Sequence, residues 1–293
     1  LTLVEKSMIE IDGSVLEGGG AILRIAASLS AITGQPVRIY KIRAGRTKPG
    51  LMTQHLESLK AVAALCSGRL NNAVLGSTEI ELYPGKIQAG KIAVEIGTAG
   101  STGLLFQSIG APLCMAGGEV TISIKGGATF GKWAPPLLAT KHVLLPLLRK
   151  MGYAAEIEIS RHGFFPKGGA SVRISGYPCK ELQPLTLLEP GEVQTVKGIS
   201  IATNHLEKAK VADRQARAAR ETLARNGLET AIECRYVDAA CPGSGIVLGA
   251  ETTTGAIIGG DSIGERGKSS EQVGEEAATQ ILKVIQAGAA VDE

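Results

Sequence analysis

Two stretches of this chain repeat one another, and the repeat restricts the fold more than any other feature of the sequence. "IEIDGSVLEGGGAILRIAASLSAITGQPVRIYKI", from Ile9, runs as an alternating apolar segment, a glycine-rich turn, an apolar segment with helical spacing, a turn at Gly34 and a second alternating segment. "AVEIGTAGSTGLLFQSIGAPLCMAGGEVTISIKG", from Ala93, runs the same way, with Gly97, Gly100 and Gly103 in the turn. Each therefore reads as strand, helix, strand. The parallel continues, because "RAGRTKPG" leads into the helical pattern "LMTQHLESLKAVAALC" and "KGGATFGKWAPP" leads into "LLATKHVLLPLLRKM". Pro49 and Pro135 are expected at equivalent helix starts, where a missing N–H costs nothing. At least two copies of a strand/helix/strand/helix unit follow, each a sheet whose apolar face needs helices to cover it.

"AEIEISRHGFFPKGGASVRISG" then reads as two strands around a glycine-rich turn, and the texture changes at "LQPLTLLEPGE". Beyond that come a strand "KGISIAT", a charged helix "HLEKAKVADRQARAARETLARN" ended by Gly227, and strands "AIECRYVDA", "GIVLGAET" and "AIIGGDSIG". The last helix, "SEQVGEEAATQILKVIQAG", is expected to return to the repeats and open a further copy. The fold class is thus α+β with α/β-like repeats. A discontinuous repeat domain is expected over 1–184 and 277–293, and a smaller inserted α+β domain over 185–276.

Composition excludes several classes. Of 293 residues 44% are apolar, enough for a sizeable core. No uninterrupted apolar run approaches the roughly 18 residues of a membrane helix. The stretch "LTLVEKSMIEID" lacks the basic region and apolar core of a signal peptide, so a cytoplasmic protein is expected. The cysteines Cys66, Cys114, Cys179, Cys234 and Cys241 are scattered and form no C-x-x-C pair, which supports neither a disulfide framework nor a zinc site. A net charge of +3 proves no nucleic-acid partner, but Arg38, Lys41, Arg43, Arg46, Lys48 and Lys60 face a single acid, Glu57, between positions 38 and 60. Such a run is either a solvated face or a phosphate-binding surface. Aromatic content of 3% argues against binding of single strands by base stacking, so RNA would be held by its phosphates. No motif specific for DNA is present.

Three segments carry candidate chemistry. Gly18, Gly19 and Gly20 precede a helix bearing Arg24, an arrangement that suits a phosphate or a close backbone approach. Glu17 beside that turn would repel phosphate unless a divalent cation bridged the two, so it implies a metal; a helix-capping charge is the alternative. Arg43 and Arg46 can present bidentate donors to phosphates, with Gln54 and His55 on the next helix; arginines on a solvated loop are the alternative. In "RHGFFPKGG", His162 suits a packed or supporting role first, and a nucleophile or phosphate contact second. "SIGERGKS" resembles a P-loop but begins with Ser262 where glycine is needed, and is rejected. No Ser/His/Asp set can be assembled.

Together "DGSVLEGGGAILR", "IRAGRTKPGLMTQHL", "IGTAGSTGLLFQ" and "RHGFFPKGGA" resemble the RNA 3′-terminal phosphate cyclase family, in order and over essentially the whole chain. The resemblance implies an ATP-dependent enzyme of the ligase class with a divalent metal, Mg²⁺ or Mn²⁺, acting on RNA that ends in a 3′-phosphate. AMP passes from ATP to a histidine, then to the RNA phosphate, and the neighbouring 2′-hydroxyl displaces it to leave a 2′,3′-cyclic phosphate. It implies Glu17 as metal ligand, Gly18, Gly19, Gly20, Arg46 and Gln107 as nucleotide-binding residues, and Arg24, Arg43, Gln54 and His55 as supporting residues. The family's nucleophilic histidine and its Asp-Gln motif are expected beyond Glu293. Ala21 stands where many relatives carry glutamine, and Leu138 and Ala139 stand where an acid and an aromatic are common. No membrane association is expected, and a homodimer is left open. Two rivals remain: a non-catalytic cyclase-like protein of ribosomal RNA processing, and an enolpyruvyl transferase of similar repeated architecture. Retention of Glu17, Arg24, Arg43 and Gln54 favours the enzyme over the first, and the cyclase motifs exclude the second.

Overall fold

The computed structural model describes residues 7–16 and 18–292. Strand β1 (Ile9–Asp12) enters the first glycine turn, helix α1 (Gly20–Thr33) returns, and β2 (Val37–Tyr40) lies parallel to β1 with Ile9 opposite Val37. Helix α1 stops at Gly34, whose φ of 65° is left-handed and whose N–H donates to the Ser30 carbonyl. Helix α2 (Thr53–Leu65) and the short strands β3 (Arg69–Asn71) and β4 (Ile80–Tyr83) complete a sheet of order β1-β2-β4-β3. Val37, Ile39, Ile80 and Leu82 alternate with half-buried residues and turn inward onto the helices.

The second unit repeats this plan. Strand β5 (Gly90–Ser101), helix α3 (Thr102–Leu113) and strand β6 (Val120–Ala128) form the strand/helix/strand segment, and β7 (Ala155–Arg161) and β8 (Ser171–Gly176) complete the order β5-β6-β8-β7. The repeat in sequence is thus a repeat of topology. The helix expected from Leu137 is broken into α4 (Leu137–Ala139), a π-helical stretch over Thr140–Leu144 and α5 (Leu145–Lys150). Pro146 is the cause: it has no N–H for the preceding turn and its ring crowds the carbonyl four residues back. Pro49 and Pro135 stand ahead of their helices, which begin at Thr53 and Leu137.

Strand β9 (Val193–Thr203), helix α6 (Val211–Ala224), strands β10 (Thr230–Val237), β11 (Ser244–Thr252) and β12 (Ile257–Ile263), and helix α7 (Ser270–Gln286) form the third unit. Its order, β10-β9-β11-β12, puts its first strand inside the sheet, so it is not a third copy of the repeat. Helix α6 is shorter than the charged segment suggests, because Lys210 adopts a left-handed φ of 50° just before it.

Helix α7 corrects the sequence reading. It does not return to the repeats: Val273, Ala277, Ala278 and Ile281 share one apolar cluster with Val196, Leu223, Ile246 and Leu248, packed against α6 and the third sheet. The stripe at i, i+4, i+5 and i+8 announces a buried face but does not name the surface it meets. The two repeats share a separate continuous core that includes Leu23, Ile39, Leu59, Ile109, Ile122 and Ile174. A smaller cluster of Phe130, Leu138, Phe164, Ile201, Cys241 and Val247 seals the seam between second and third units. Leu138 is thereby committed to packing. No helix among the described residues is long and apolar enough to cross a membrane. All five cysteines are free thiols, three of them buried.

Candidate phosphate-binding site

Each glycine of the triple has its own physical reason. Gly18 needs none of the L-residue restrictions, since its φ is +55°. Gly19 is the N-cap of α1 and offers no side-chain acceptor, which leaves the N–H groups of the first turn without a cap. Gly20 makes room: a Cβ there would overlap His55 Nε2 and lie 2.8 Å from Arg24 Nη1. Bare backbone at position 20 is what lets an arginine and a histidine converge on the positive end of α1.

Arg24 is 8% exposed, and among the described residues no carboxylate pairs with it. Its Nε donates to Gln107 Oε1 at 3.1 Å, across from α1 to α3. Burial disfavours the charged guanidinium and pulls its pKa down, yet an arginine stays protonated at neutral pH. A buried cation with only an amide partner is costly unless an anion joins it.

His55 is also buried, and the Met52 N–H donates to its Nδ1 at 3.2 Å, as in a capping box at the start of α2. A neutral imidazole that accepts at Nδ1 carries its proton on Nε2, so the atom facing Gly20 is a donor. Burial first, then the charges of Arg43 and Arg24, hold its pKa down at about 4. His55 is therefore neutral near pH 7.

Arg43 has a left-handed φ of 54°, and its Nη1 donates to the carbonyls of Lys48 at 2.6 Å and Gly50 at 2.9 Å. It thus shapes the basic loop as well as charging it. Burial and the neighbouring Arg46 lower its pKa. Arg46 closes the other side, with Nη2 3.5 Å from the position a Gly19 Cβ would take. Gln54 meets the second repeat, because a Cβ on Gly100 would lie 3.0 Å from the Gln54 Cβ. So Gly18, Gly19, Gly20, Arg24, Arg43, Arg46, Gln54, His55 and Gln107 are brought to one place, where α1, α2 and α3 meet. Glu17 lies outside the described residues. Ala21 is exposed.

Three other cations of the basic run are paired at the surface. Arg38 bridges Glu10 and Glu79, Lys60 pairs with Glu57, and Lys41 pairs with Asp12 at 2.8 Å. That lysine, together with Ser14, holds the Asp12 carboxyl at about 2. Asp12, at the mouth of the glycine turn, escaped the sequence reading, since a lone acid before a turn carries no signal. The second repeat does not duplicate the open helix end: Ser101 Oγ accepts the Leu104 N–H at 3.2 Å and caps α3.

His162 sits elsewhere. It is buried, 2.9 Å from Thr129 Oγ1 through Nδ1, beside the rings of Phe130 and Phe164, which stack on each other at 5.6 Å. Burial lowers its pKa to about 4, helped by Arg235 and Lys141. Lys268 of the rejected P-loop lookalike pairs with Glu276 and donates to Ser262 Oγ. Among the described residues no group of three His, Cys, Asp or Glu side chains is placed to hold a metal.

The sequence model of the RNA 3′-terminal phosphate cyclase family matches residues 15–293. An RNA 3′-terminal phosphate cyclase of Methanopyrus kandleri is 45% identical over 293 residues, covering 98% of this chain and 82% of that protein. The protein of that name from Thermococcus onnurineus is 45% identical over 287 residues, covering 98% of this chain and 83% of its own length. That from Archaeoglobus fulgidus is 41% identical over 285 residues, covering 97% and 84%. The chain belongs to the RNA 3′-terminal phosphate cyclase family.

Proposed function

We propose that this protein converts the 3′-terminal phosphate of RNA into a 2′,3′-cyclic phosphate with the use of ATP. The observation that carries the reading is Arg24, a buried guanidinium without a carboxylate partner among the described residues, set beside an uncapped helix end. That combination suits the oxygens of an anion such as phosphate. The fit to a nucleotide's phosphates rests on the same cradle, which a Cβ at Gly20 would fill.

A phosphate monoester resists attack because it is a poor electrophile, and transfer of AMP to it supplies a leaving group. In this reading a histidine nitrogen attacks the α-phosphorus of ATP and pyrophosphate departs. An oxygen of the RNA 3′-phosphate then takes AMP from the histidine. Finally the adjacent 2′-hydroxyl loses its proton and attacks the RNA phosphorus, and AMP leaves; proximity makes this last step effectively unimolecular. Arg24, Arg43 and Arg46 hold phosphate oxygens, the His55 Nε2–H donates to one, Gln107 orients Arg24, and Gln54 lines the wall. A divalent metal, Mg²⁺ or Mn²⁺, with Glu17 as its ligand would neutralise phosphate charge beside the glycine turn.

His55 is disfavoured as the AMP acceptor because its outward nitrogen carries the proton while Nδ1 accepts the Met52 N–H, and His162 because it is buried beside the stacked rings of Phe130 and Phe164. The test uses α-labelled ATP. The 293-residue chain is expected to bind nucleotide without acquiring acid-labile, alkali-stable label at either histidine, and label mapping to either would overturn the assignment. In a protein carried to the length of its relatives, label in the RNA 3′-phosphate should become resistant to phosphatase only when ATP is present. RNA binding without any nucleotide binding would favour the non-catalytic relative instead.

A further inference from the structure

The four phenylalanines and one tryptophan of the chain divide sharply by exposure. Phe106, Phe130 and Phe164 are at most 4% exposed, whereas Trp133 is 96% and Phe165 is 62% exposed. The two exposed rings stand on neighbouring loops, since Phe130 and Phe164 form a β-bridge between them. Thr129 N–H donates to the Gly163 carbonyl at 2.9 Å and ties the same loops again.

Both loops are built against the glycine-rich end of β5 and the start of α3. A Cβ on Gly131 would lie 3.0 Å from the Ser101 Cβ, and one on Gly103 would overlap the Pro135 carbonyl. On the other loop, a Cβ on Gly168 would lie 2.8 Å from the Thr98 carbonyl and 3.2 Å from the Ala99 Cα. The same end of β5 touches the phosphate site, through Gly100 against Gln54. A continuous wall therefore runs from His55 and Gln54, past Gly100 and Ser101, out to Trp133 and Phe165.

Trp133 is held out at a cost. Its φ of 54° is left-handed, which disfavours any residue with a Cβ by about 1–2 kcal/mol, and its indole gains no burial in return. Each ring has a cation near it in sequence: Lys132, directly before Trp133, with Nζ 5.9 Å from the indole centroid and an ion pair to Glu265 that links the loop to the third unit, and the exposed Lys167, two residues after Phe165. Aromatic faces alternating with cations at the edge of an anion site match a single strand of nucleic acid, whose bases stack while its phosphates are neutralised.

We propose that Trp133 and Phe165 form a stacking platform for nucleobases of the RNA that precede its 3′-terminal phosphate. The inference rests on the functional reading above. Two platforms suit an RNA end, whereas ATP carries one base.

Trp133 is the only tryptophan, so intrinsic emission reports this position alone. Titration with a short 3′-phosphorylated RNA should quench that emission in step with binding followed by anisotropy of labelled RNA. Trp133→Ala and Phe165→Ala should each weaken RNA about tenfold without moving ATP affinity, Trp133→Phe should recover most of the loss, and RNA made abasic in its last two nucleotides should bind the Ala variants and the parent alike. RNA binding with unchanged emission, and Ala variants that bind as the parent does, would overturn the platform and leave the phosphate site standing. Quenching by ATP alone with no further change on adding RNA would overturn the RNA assignment. Failure of the parent to bind RNA at all would overturn both readings.

Discussion

Gly20→Ala isolates the phosphate site from the fold. The new methyl group would overlap His55 Nε2 and sit 2.8 Å from Arg24 Nη1, so one or both side chains must swing away. Overpacking of this kind costs about 1–3 kcal/mol, and the helix preference of alanine over glycine returns up to about 1 kcal/mol. The fold should therefore lose no more than about 3 kcal/mol. The site loses a charge-assisted hydrogen bond to phosphate, about 1.5–3 kcal/mol, which corresponds to a roughly 10- to 150-fold weaker affinity for ATP. The neighbours calibrate the result. At Gly19 the nearest atom to an added Cβ is Arg46 Nη2 at 3.5 Å, ordinary contact, and the φ of −87° suits alanine. Gly19→Ala should thus cost only a small fraction of what Gly20→Ala costs in binding. Gly18→Ala meets a left-handed φ of +55° and should cost about 1–2 kcal/mol in stability. Titration calorimetry with ATP, paired with urea unfolding of each variant, reads both quantities. Parental affinity in Gly20→Ala, or equal losses at positions 19 and 20, would refute the reasoning.

Four further outcomes are expected. Arg24→Met should leave the ligand-free fold as stable as the parent or more so in urea, because it removes a buried charge without a carboxylate partner among the described residues, while ATP binding collapses; marked destabilisation without ligand would contradict this. The His55 pKa is depressed to about 4, so the unfolded chain binds a proton that the folded one does not between pH 4 and the usual 6.5. Stability therefore falls as pH is lowered through that window, and His55→Gln, which keeps an acceptor for the Met52 N–H, should flatten the acid limb of a stability–pH profile. Arg43→Ala should reduce discrimination between RNA ends with 3′-phosphate and 3′-hydroxyl in competition binding, and equal losses for both would assign Arg43 to the general backbone. Ile281→Ala should cost about 2–5 kcal/mol in urea unfolding of the third unit, because this fully buried side chain packs with Ile246 and Leu248.

Features that announce themselves locally were legible in the sequence. Glycine turns followed by helical spacing placed α1 and α3, and alternation placed β2, β6, β7 and β8. The short β3 and β4 were not read, because three or four half-polar residues give too little alternation to stand out. The amphipathic stripe of α7 was visible but its partner was not, since a stripe is the same whichever core it covers. At the site, the motifs named side chains that the structure brings together, while spacing could not carry the tautomer of His55, the curl of Arg43 onto Lys48 and Gly50, or the crowding that a side chain at position 20 would meet. The low aromatic content argued against base stacking, but a percentage says nothing of where two exposed rings are placed.

In the proposed function the open end of α1, with Arg24 and His55, binds the terminal phosphate of RNA and the phosphates of ATP. Equilibrium competition between two RNAs that differ only in a 3′-phosphate or a 3′-hydroxyl, measured on the parent and on Arg24→Met, tests it most directly. The parent should prefer the phosphorylated end by at least about tenfold, from one charge-assisted contact, and the variant should lose that preference. Equal affinity of the parent for the two RNAs, or an undiminished preference in Arg24→Met, would contradict it.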